Sequence, residues 1–350
     1  MSDVDFIVVS HNQLEFTQTC FESIVRHVDV PYHLIWVDNN STDGTQDYLK
    51  EQKAKYESSR AQITLILHPG NSGYAEGLNL GIPHSHSPYV FFCNNDIEFF
   101  PGAVQETIRI AEKNPKFGLV NPNSNEFGLG RYEANFLETK KGQWIERCHT
   151  SGFCVLVKRK VVNAIGGIDP LFGPAYFEDM DYAERAKKAG FLCVTAQGAY
   201  VHHFGTRTFL PKEKQSLWDK HKEHFRERWG GTKWLAYIGD DKMIENPTER
   251  DNIRQALLEL ARREIAIIYL FVSARAAKYF EGIHDSFRII ASAPLIQPLF
   301  VLIRLQRSIK TKPISTIYVS GNSQLRFWKQ FRGWHQANLA LLRNEVTASA

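Results

Sequence analysis

The sequence lacks the features that would place the chain outside the cell or across a membrane. Its five cysteines form no C-x-x-C pair, and their odd number and scattered spacing are typical of free, mostly buried thiols in a reducing compartment. The N-terminal segment has no basic stretch and no small-residue cleavage site, so we expect no signal peptide. No uninterrupted apolar run reaches the roughly 20 residues that a spanning helix needs. We therefore expect a cytoplasmic protein.

The chain also lacks a strong charge bias, internal repeats and low-complexity tracts. Its formal net charge is +4 over 350 residues, which argues against a dedicated nucleic-acid-binding protein. The apolar fraction of 43% is close to the globular norm of about 45–50%, so we expect a sizeable core. The length fits one domain of roughly 200–250 residues with a smaller second part.

Strand and helix signals alternate in the N-terminal part of the chain. The predicted strands are Phe6–Ser10, Leu34–Val37, Ile63–Leu67 and Tyr89–Cys93, and the predicted helices between them include Leu14–His27 and Thr45–Glu57. Strands that alternate with helices predict parallel βαβ units and a doubly wound α/β sheet. Ligands of such sheets bind outside the carboxyl ends of the strands.

Polar clusters follow these strands at the positions where ligands are expected. They are Ser10-His11-Asn12, Asp38-Asn39-Asn40 and Asn94-Asn95-Asp96. Asp96 comes directly after a buried strand and offers the oxygen ligand that Mg²⁺ and Mn²⁺ prefer. For Asp38 the alternative is structural, because Asp38 and Ser41 could simply shape the turn and cap the next helix.

A glycine-bearing turn, Asn71–Gly81, opens a helix after the third strand. Backbone N–H groups at such a turn suit a phosphate or a ribose. A glycine pattern alone is weak evidence, so this turn gains its meaning from the neighbouring clusters.

Two further groups of titratable residues lie later in the chain. Glu178, Asp179 and Asp181 stand together at a predicted helix start, where negative charge is favourable in any case. Asp181 is four residues from Arg185, so we expect these two to pair and one other acid, most naturally Asp179, to act as a base. His202 and His203 end a strand, and neighbouring strand residues face opposite ways, so only one of them can face a given site.

These segments together resemble glycosyltransferase family two, which has the GT-A fold, and are most similar to its rhamnosyltransferase-like branch, which builds bacterial surface polysaccharides. The resemblance covers about residues 4–210 and rests on VVSHN, WVDNNSTDGT, NSGYAEGLNLGI, YVFFCNNDIEFFPGA, GFCVLVKRKVVNAIGGIDPLF, YFEDMDYAERAKKAGF and AYVHHFG. It implies a GT-A type mixed sheet, a nucleotide-diphosphate sugar donor, and a saccharide or lipid-linked acceptor.

The resemblance and the polar clusters together define the expected site. Glu178-Asp179 matches the acid pair of the family, whose second member is the usual base. Asp96, with His202 or His203, is expected to bind Mn²⁺ or Mg²⁺. The expected donor-binding residues are Ser10, Asn12, Asp38, Asn40, Asn71, Gly73, Gly77, Asn79 and Asn95. One departure is that Asn94-Asn95-Asp96 has a single carboxylate where the family's Asp-x-Asp motif has two.

Residues 211–350 fall outside the resemblance, and we expect a mainly helical C-terminal region after a catalytic domain of residues 1–210. The stretch 286–344 contains no Asp or Glu but carries Lys and Arg residues interleaved with Trp328, Phe331 and Trp334. Such a region can lie peripherally on an anionic membrane. The alternative is packing on the catalytic domain or on a second copy of the chain. No recognition motif for nucleic acid accompanies the charge.

The sequence therefore predicts an inverting, metal-dependent glycosyltransferase. A protein of a different class, a catalytically silent nucleotide-sugar-binding scaffold of a polysaccharide assembly complex, is the alternative. The joint presence of Asp38, Asp96, Asp179 and the two histidines disfavours that alternative.

Overall fold

A computed structural model describes residues 3–56, 61–128, 130–205, 211–239, 245–292, 301 and 313–342. The chain divides into two compact units. The first contains residues 1–145 and 149–229, and the second contains residues 146–148 and 230–350.

The first unit is an α/β unit built on one large sheet. Its strands are β1 (Val4–Ser10), β2 (Tyr32–Asn39), β3 (Ala61–His68), β4 (Tyr89–Asn94), β5 (Ile97–Phe99), β6 (Phe117–Asn123), β7 (Trp144–Arg147), β8 (Cys154–Lys158) and β9 (Leu192–His203). Its helices are α1 (Leu14–His27), α2 (Thr45–Tyr56), α3 (Gly73–Gly81), α4 (Ala103–Glu112), α5 (Ala134–Lys140), α6 (Arg159–Ile165), α7 (Glu178–Lys188) and α8 (Pro211–Trp229).

The sheet is mixed, as the sequence predicted. Among the described residues its strands follow the order β3-β2-β1-β4-β8-β6-β9-β5, with β7 also paired to β9. Strands β1 to β4 are parallel, β8 is antiparallel to both of its neighbours, and β6 is parallel to β9. The carboxyl ends of β1, β2, β4, β6 and β9 therefore lie along one edge, and the amino end of β8 lies there too.

Apolar side chains on both faces of this sheet are buried, which explains its uninterrupted apolar strands. On β1, Phe6 packs in the cluster that also contains Phe21 of α1, whereas Ile7 packs on the opposite face with Leu78 of α3. The ring of Phe6 stacks on Phe91 at a centroid distance of 5.0 Å. Helices cover both faces, so the sheet edge is where polar groups can converge.

Helix α8 belongs to the first unit, so the boundary between the units falls after Trp229 and not near residue 210 as expected. The imidazole of His221 is fully buried, and its Nδ1 lies 2.7 Å from the carbonyl oxygen of Ala175. At the end of the helix, Arg228 and Trp229 both donate hydrogen bonds to Asp181. These contacts attach α8 to the acid-bearing helix α7.

The second unit is also α/β, and the expectation that it is mainly helical is wrong. Helices are present, but its described residues also form a five-stranded, all-parallel sheet in the order β12-β11-β10-β13-β14. The strands are β10 (Lys233–Ile238), β11 (Ala266–Ser273), β12 (Phe287–Ser292), β13 (Thr316–Val319) and β14 (Asn338–Leu341). The helices are α9 (Pro247–Arg263), α10 (Ala274–Ala277), α11 (Asn322–Lys329) and α12 (Arg332–His335).

The acid-free stretch 286–344 is only partly a surface feature. Trp328 is 3% exposed and packs with Ile317 and Val319 in an apolar core, so it cannot lie on a membrane as expected. Phe327 is 40% exposed. Several of the basic residues lie outside the described residues, namely Arg304, Arg307, Lys310, Lys312 and Arg343. Within the described parts of the chain, no helix is long and apolar enough to cross a membrane.

Candidate active site at the carboxyl edge of the first sheet

Asp38 lies at the carboxyl end of β2, directly opposite Ser10 in the register of β1 and β2. Its carboxylate is fully buried. It accepts hydrogen bonds from Ser10 Oγ at 3.1 Å, Ser41 Oγ at 2.5 Å and Gln46 Nε2 at 2.9 Å, and Trp36 Nε1 donates to Ser10 Oγ at 3.0 Å. These contacts bear out the structural role of Asp38 in the turn, and its donor-binding role stays a prediction.

Two loops at this edge are joined by asparagine side chains in or beside left-handed backbone. Asn12 (φ 57°) and Asn40 (φ 60°) both adopt this conformation, which asparagine tolerates better than most residues. Asn12 Oδ1 accepts from the amide of Thr42 at 2.8 Å, whereas Asn40 is exposed. Asn95 Nδ2 donates to Thr17 Oγ1 at 3.0 Å. Ser10, Asn12, Asn40 and Asn95 therefore surround one end of β1.

The glycine turn before α3 lies beside the segment that leads into α7. Gly73 has φ 84°, and a Cβ there would lie 2.6 Å from Pro174, so only glycine fits this turn. Its amide donates to Asn71 Oδ1 at 3.1 Å. The turn thus brings Asn71 and Gly73 to the same edge as the acid pair.

Two residues of this helix have structural roles. A Cβ on Gly77 would lie 2.6 Å from Val9, so the glycine lets α3 pack closely on β1. The side-chain amide of Asn79 donates to the carbonyl of Ile168 at 2.8 Å and accepts from the amide of Ile168 at 2.9 Å. Asn79 therefore bridges α3 to a loop, and the donor-binding roles of Gly77 and Asn79 stay predictions.

Asp96 and His203 lie together because β5 pairs antiparallel with β9, which places Ile97 opposite His203. His203 Nε2 is 3.4 Å from Asp96 Oδ1. Burial lowers the pKa of His203, but the hydrogen bond and charge of Asp96, together with Glu126, outweigh it and raise the pKa above its ordinary value. Because neighbouring residues of a strand face opposite sides, His202 is separated from His203 and Asp96. The centroid of its ring lies 4.7 Å from that of Phe204.

Asp179 begins α7 and faces the start of β8. Its Oδ2 accepts from the amide of Gly152 at 2.9 Å, and its Oδ1 accepts from the amide of Met180 at 2.8 Å. Burial raises the pKa of Asp179, while the nearby His149 and these backbone donors act to lower it. These two hydrogen bonds hold the Asp179 carboxylate in one orientation and favour its ionised form.

Glu178 has a different environment from its neighbour. Its side chain is 9% exposed, and Oε2 has no hydrogen-bond partner among the described residues. Burial, reinforced by the charge of Asp179, raises the pKa of Glu178 to about 8. The two carboxyl groups thus differ, because Asp179 accepts backbone hydrogen bonds that favour its ionised form, whereas burial favours the neutral form of Glu178.

Asp181 is structural, as the sequence predicted. It is fully buried and pairs with Arg185 Nε at 2.9 Å and with Arg228 Nη1 at 2.8 Å. The indole of Trp229 donates to the same carboxylate at 2.9 Å. These contacts satisfy Asp181 and anchor α8, so this acid is not available as a base.

Sequence reasoning missed two residues that follow β6, Asn125 and Glu126. Glu126 Oε2 lies 3.1 Å from His203 Nδ1, and Asn125 bonds both backbone groups of His203. The signal was present, because this polar cluster also follows the carboxyl end of a strand. The missing information was that β6 and β9 are parallel neighbours.

The chemistry of Asp96 and His203 fits a divalent cation. A carboxylate oxygen and an imidazole nitrogen at this separation can share one ion, and a diphosphate can supply further oxygen ligands. Among the residues described, no group of three or more His, Cys, Asp or Glu side chains is placed to hold a metal. Asp96 and His203 are thus two side chains that could contribute to such a site.

The comparison with protein families identifies the first unit. Residues 5–166 match the model described as glycosyl transferase family 2. This segment belongs to that family. This match, together with the similarity to a rhamnosyltransferase of Mycobacterium tuberculosis, confirms the resemblance inferred from the sequence, including its rhamnosyltransferase-like branch.

Curated relatives of this chain are about a quarter identical to it over the aligned residues. An N-acetylglucosaminyl-diphospho-decaprenol L-rhamnosyltransferase of Mycobacterium tuberculosis (strain H37Rv) is 24% identical over 243 residues, which are 58% of this chain and 76% of the relative. A poly-beta-1,6-N-acetyl-D-glucosamine synthase of Staphylococcus epidermidis is 25% identical over 51% of this chain and 41% of its own length. The chain thus spans less than half of the second relative.

Solved structures with a related fold include two enzymes crystallised with Mn²⁺. A mannosyltransferase of Pyrobaculum calidifontis in complex with GDP-Man and Mn²⁺ has a TM-score of 0.48 and 18% identity, over 59% of this chain and 58% of that one. GalNAc-T7 with UDP, GalNAc and Mn²⁺ has a TM-score of 0.49 and 11% identity, over 65% of this chain and 50% of that one. Similarity at this level supports no inference about residues.

Proposed function

We propose that the chain transfers a sugar, with inversion, from a nucleotide-diphosphate sugar to a hydroxyl of a saccharide or lipid-linked saccharide. The observation that carries the proposal is the state of the acid pair, in which Asp179 is oriented by two backbone amides and Glu178 is buried, with no hydrogen-bond partner for its Oε2 among the described residues. One ionised and one neutral carboxyl at the same sheet edge are suited to base catalysis.

Asp179 is the proposed general base. The acceptor oxygen forms a bond to the anomeric carbon, the bond from that carbon to the diphosphate oxygen breaks, and the acceptor proton passes to Asp179. Attack from the face opposite to the leaving diphosphate inverts the configuration. Glu178, being neutral, adds no second negative charge beside the base.

Asp96 and His203 are the residues proposed to hold a divalent cation, Mn²⁺ or Mg²⁺. The ion would neutralise charge on the departing nucleoside diphosphate. Asp96 is 5% exposed and His203 stacks on Phe153 at a ring distance of 5.1 Å, so both side chains are held before any ligand binds. Side chains that are already ordered lower the entropic cost of binding the cation.

Ser10, Asn12, Asp38, Asn40, Asn71, Gly73 and Asn95 form the proposed donor-binding surface. All of them lie at or beside the carboxyl edge that carries the acid pair and Asp96. Gly77 and Asn79 belong to the same proposed surface and in addition have structural contacts of their own.

The acceptor proposed here is a lipid-linked saccharide in the synthesis of a cell-surface polymer. In support, the name of the Mycobacterium tuberculosis relative includes a diphospho-decaprenol-linked sugar. A peripheral contact with the inner face of the membrane fits such an acceptor. In the second unit, four exposed cations and one exposed aromatic side chain support it: Arg288, Arg326, Phe327, Lys329 and Arg332.

The test is release of nucleoside diphosphate from a panel of UDP-, GDP- and dTDP-sugars, with Mn²⁺ and with saccharide acceptors. The proposal expects turnover with at least one donor and loss of turnover in Asp179→Asn. Binding of a donor without turnover under any condition would instead favour a catalytically silent scaffold.

A further inference from the structure

The loop after β6 holds the end of β9 through side chains and not through strand pairing. Asn125 Nδ2 donates to the carbonyl of His203 at 2.8 Å, and Asn125 Oδ1 accepts from the amide of His203 at 2.8 Å. One amide side chain thus satisfies both backbone groups of a single residue. The loop is thereby fixed against the histidine that faces Asp96.

The imidazole of His203 is held at both nitrogens and on one face. Nδ1 lies 3.1 Å from Glu126 Oε2, and Nε2 lies 3.4 Å from Asp96 Oδ1. The ring of Phe153 stacks on the imidazole with an angle of 19° between the planes. With these three contacts, rotation of the ring would break at least one polar interaction.

The backbone at Gly205 leaves space for Glu126. Gly205 has φ 64°, and a Cβ at this position would lie 2.9 Å from Glu126 Oε1. A side chain here would therefore push the carboxylate, and the positive φ would strain the backbone of any residue except glycine. Glycine follows His203 closely in sequence, so the same turn serves the histidine and the glutamate.

We propose that Glu126 is a positioning residue that accepts a hydrogen bond from Nδ1–H of His203 and so leaves Nε2, on the side of Asp96, to bind the cation. The inference rests on the proposed function, because it assumes that His203 is a metal ligand. A carboxylate behind a ligating histidine fixes the tautomer and ring orientation and increases ligand basicity. Glu126 itself does not touch the sugar or the diphosphate in this role.

A role for Glu126 in folding stability alone does not fit its exposure. Its side chain is 60% exposed, and exposed ion pairs contribute little to folding stability. Removal of Glu126 should therefore change the metal site while the fold persists. This difference separates the two roles experimentally.

The first test measures Mn²⁺ binding to the full chain by electron paramagnetic resonance, with Mn²⁺ alone and with UDP, GDP or dTDP. Glu126→Ala should weaken Mn²⁺ binding by about 10–100-fold, the usual effect of removing such a partner. Glu126→Gln keeps an acceptor oxygen and should recover part of the loss. The matched control is Glu133→Ala, which removes a nearby glutamate that pairs with Arg131 and should leave binding unchanged.

The second test needs no metal and is made at a pH at which His203 is neutral, because Asp96 and Glu126 raise the pKa of this residue. Long-range ¹H–¹⁵N spectra of the full chain with labelled histidine report the tautomer of each ring, and the signal of His203 is identified from its loss in His203→Gln. Wild type should show the Nδ1-protonated form, and Glu126→Ala should shift His203 away from it. Gly205→Ala, which displaces Glu126 without removing it, should have the same effect in a weaker form.

The outcomes separate the inference from the proposed function. Unchanged Mn²⁺ affinity in Glu126→Ala, or an unchanged His203 tautomer, overturns the role of Glu126 and leaves the transferase intact. Failure of wild type to bind Mn²⁺ with any of the three nucleotides overturns both the inference and the metal dependence. Loss of binding together with the tautomer shift supports the inference.

Discussion

His203 Nε2 lies 3.4 Å from Oδ1 of Asp96, and antiparallel pairing of β5 with β9 produces this contact. The same pairing turns His202 to the other side, where its ring packs on Phe204. The structure thus distinguishes two histidines that are neighbours in sequence. It assigns the proposed metal role to His203.

Removal of the metal should abolish activity, and the two histidines should respond differently. EDTA should stop nucleoside diphosphate release, and Mn²⁺ or Mg²⁺ should restore it. The reason is that the ion proposed to be held by Asp96 and His203 would neutralise the charge on the departing diphosphate. His203→Ala should lower turnover by about 100-fold, on the scale of a lost charge-stabilising contact, while His202→Ala stays within a few-fold. Full activity in EDTA, with Asp96→Ala also active, would refute the metal role.

The stability of the protein should depend on pH through Glu178. Its pKa is about 8 in the folded protein against 4.5 as the ordinary value, so between these values the folded state binds more protons than the unfolded state. Stability therefore falls as pH rises through this window, and the penalty is complete above about pH 8. Glu178→Gln removes the titrating group and should raise Tm by several degrees at pH 9 relative to wild type.

Thermal melts from pH 4 to pH 9 check this prediction, with Glu22→Gln on the exposed face of α1 as the control. At pH 4 the Glu178 carboxyl is mostly protonated in both the folded and the unfolded protein. The difference in Tm between Glu178→Gln and wild type should therefore largely disappear. A Tm difference that is the same at every pH would show that Glu178 does not titrate in this window.

Asp181→Ala should destabilise the first unit by about 3 kcal/mol, because it leaves the buried contacts of Arg185 and Arg228 without their carboxylate. Chemical denaturation followed by circular dichroism measures the change. The control is Asp47→Ala, which removes an exposed partner of Lys50 and should have little effect. If the two variants unfold at the same denaturant concentration, Asp181 is not the anchor of α8 that we infer.

The second unit should bind anionic membranes weakly and in a salt-dependent manner. Each Lys or Arg near such a surface contributes about 1 kcal/mol, so substitution of Arg326, Lys329 and Arg332 by Gln should reduce co-sedimentation with anionic liposomes. Truncation is not a suitable test, because β12, β13 and β14 complete a sheet. The control substitutes Arg26 and Lys50, which are exposed in the first unit. Equal sedimentation of both variants, or none by wild type, would contradict the membrane contact.

The sequence predicted the first unit well because its signals there are local. Helical spacing over Leu14–His27 and the turns beside it define a helix with those bounds, and the strands before and after it differ from prediction only at their ends. Asp181 and Arg185 pair as a spacing of four residues on a helix requires. Such features depend on periodicity alone.

The second unit was mispredicted for a physical reason. Ala266–Ser273 is a short, mostly buried and mostly apolar segment, and periodicity alone cannot distinguish such a segment from a buried helix. The helix that precedes it ends at Arg263, where Glu264 takes extended backbone. The strand was therefore included in the region that we expected to be mainly helical.

Contacts between distant segments could not be predicted either. The partners of His203 come from β5 and from the loop after β6, and their arrival depends on sheet order and register. The contacts of Gly77 with Val9 and of Asn79 with Ile168 are likewise invisible in the sequence. Sequence patterns identified the polar edge but not the roles of all its members.

The most direct test of the central claim compares Asp179→Asn with Glu178→Gln and wild type, using nucleoside diphosphate release from a donor that wild type turns over. Asp179→Asn should bind that donor nearly as wild type does and lose at least about 100-fold in turnover, the scale for loss of a general base. Glu178→Gln should lose much less, because this residue is neutral at pH 7. Retention of turnover by Asp179→Asn, or a far larger loss in Glu178→Gln, would contradict the assignment of Asp179 as the base.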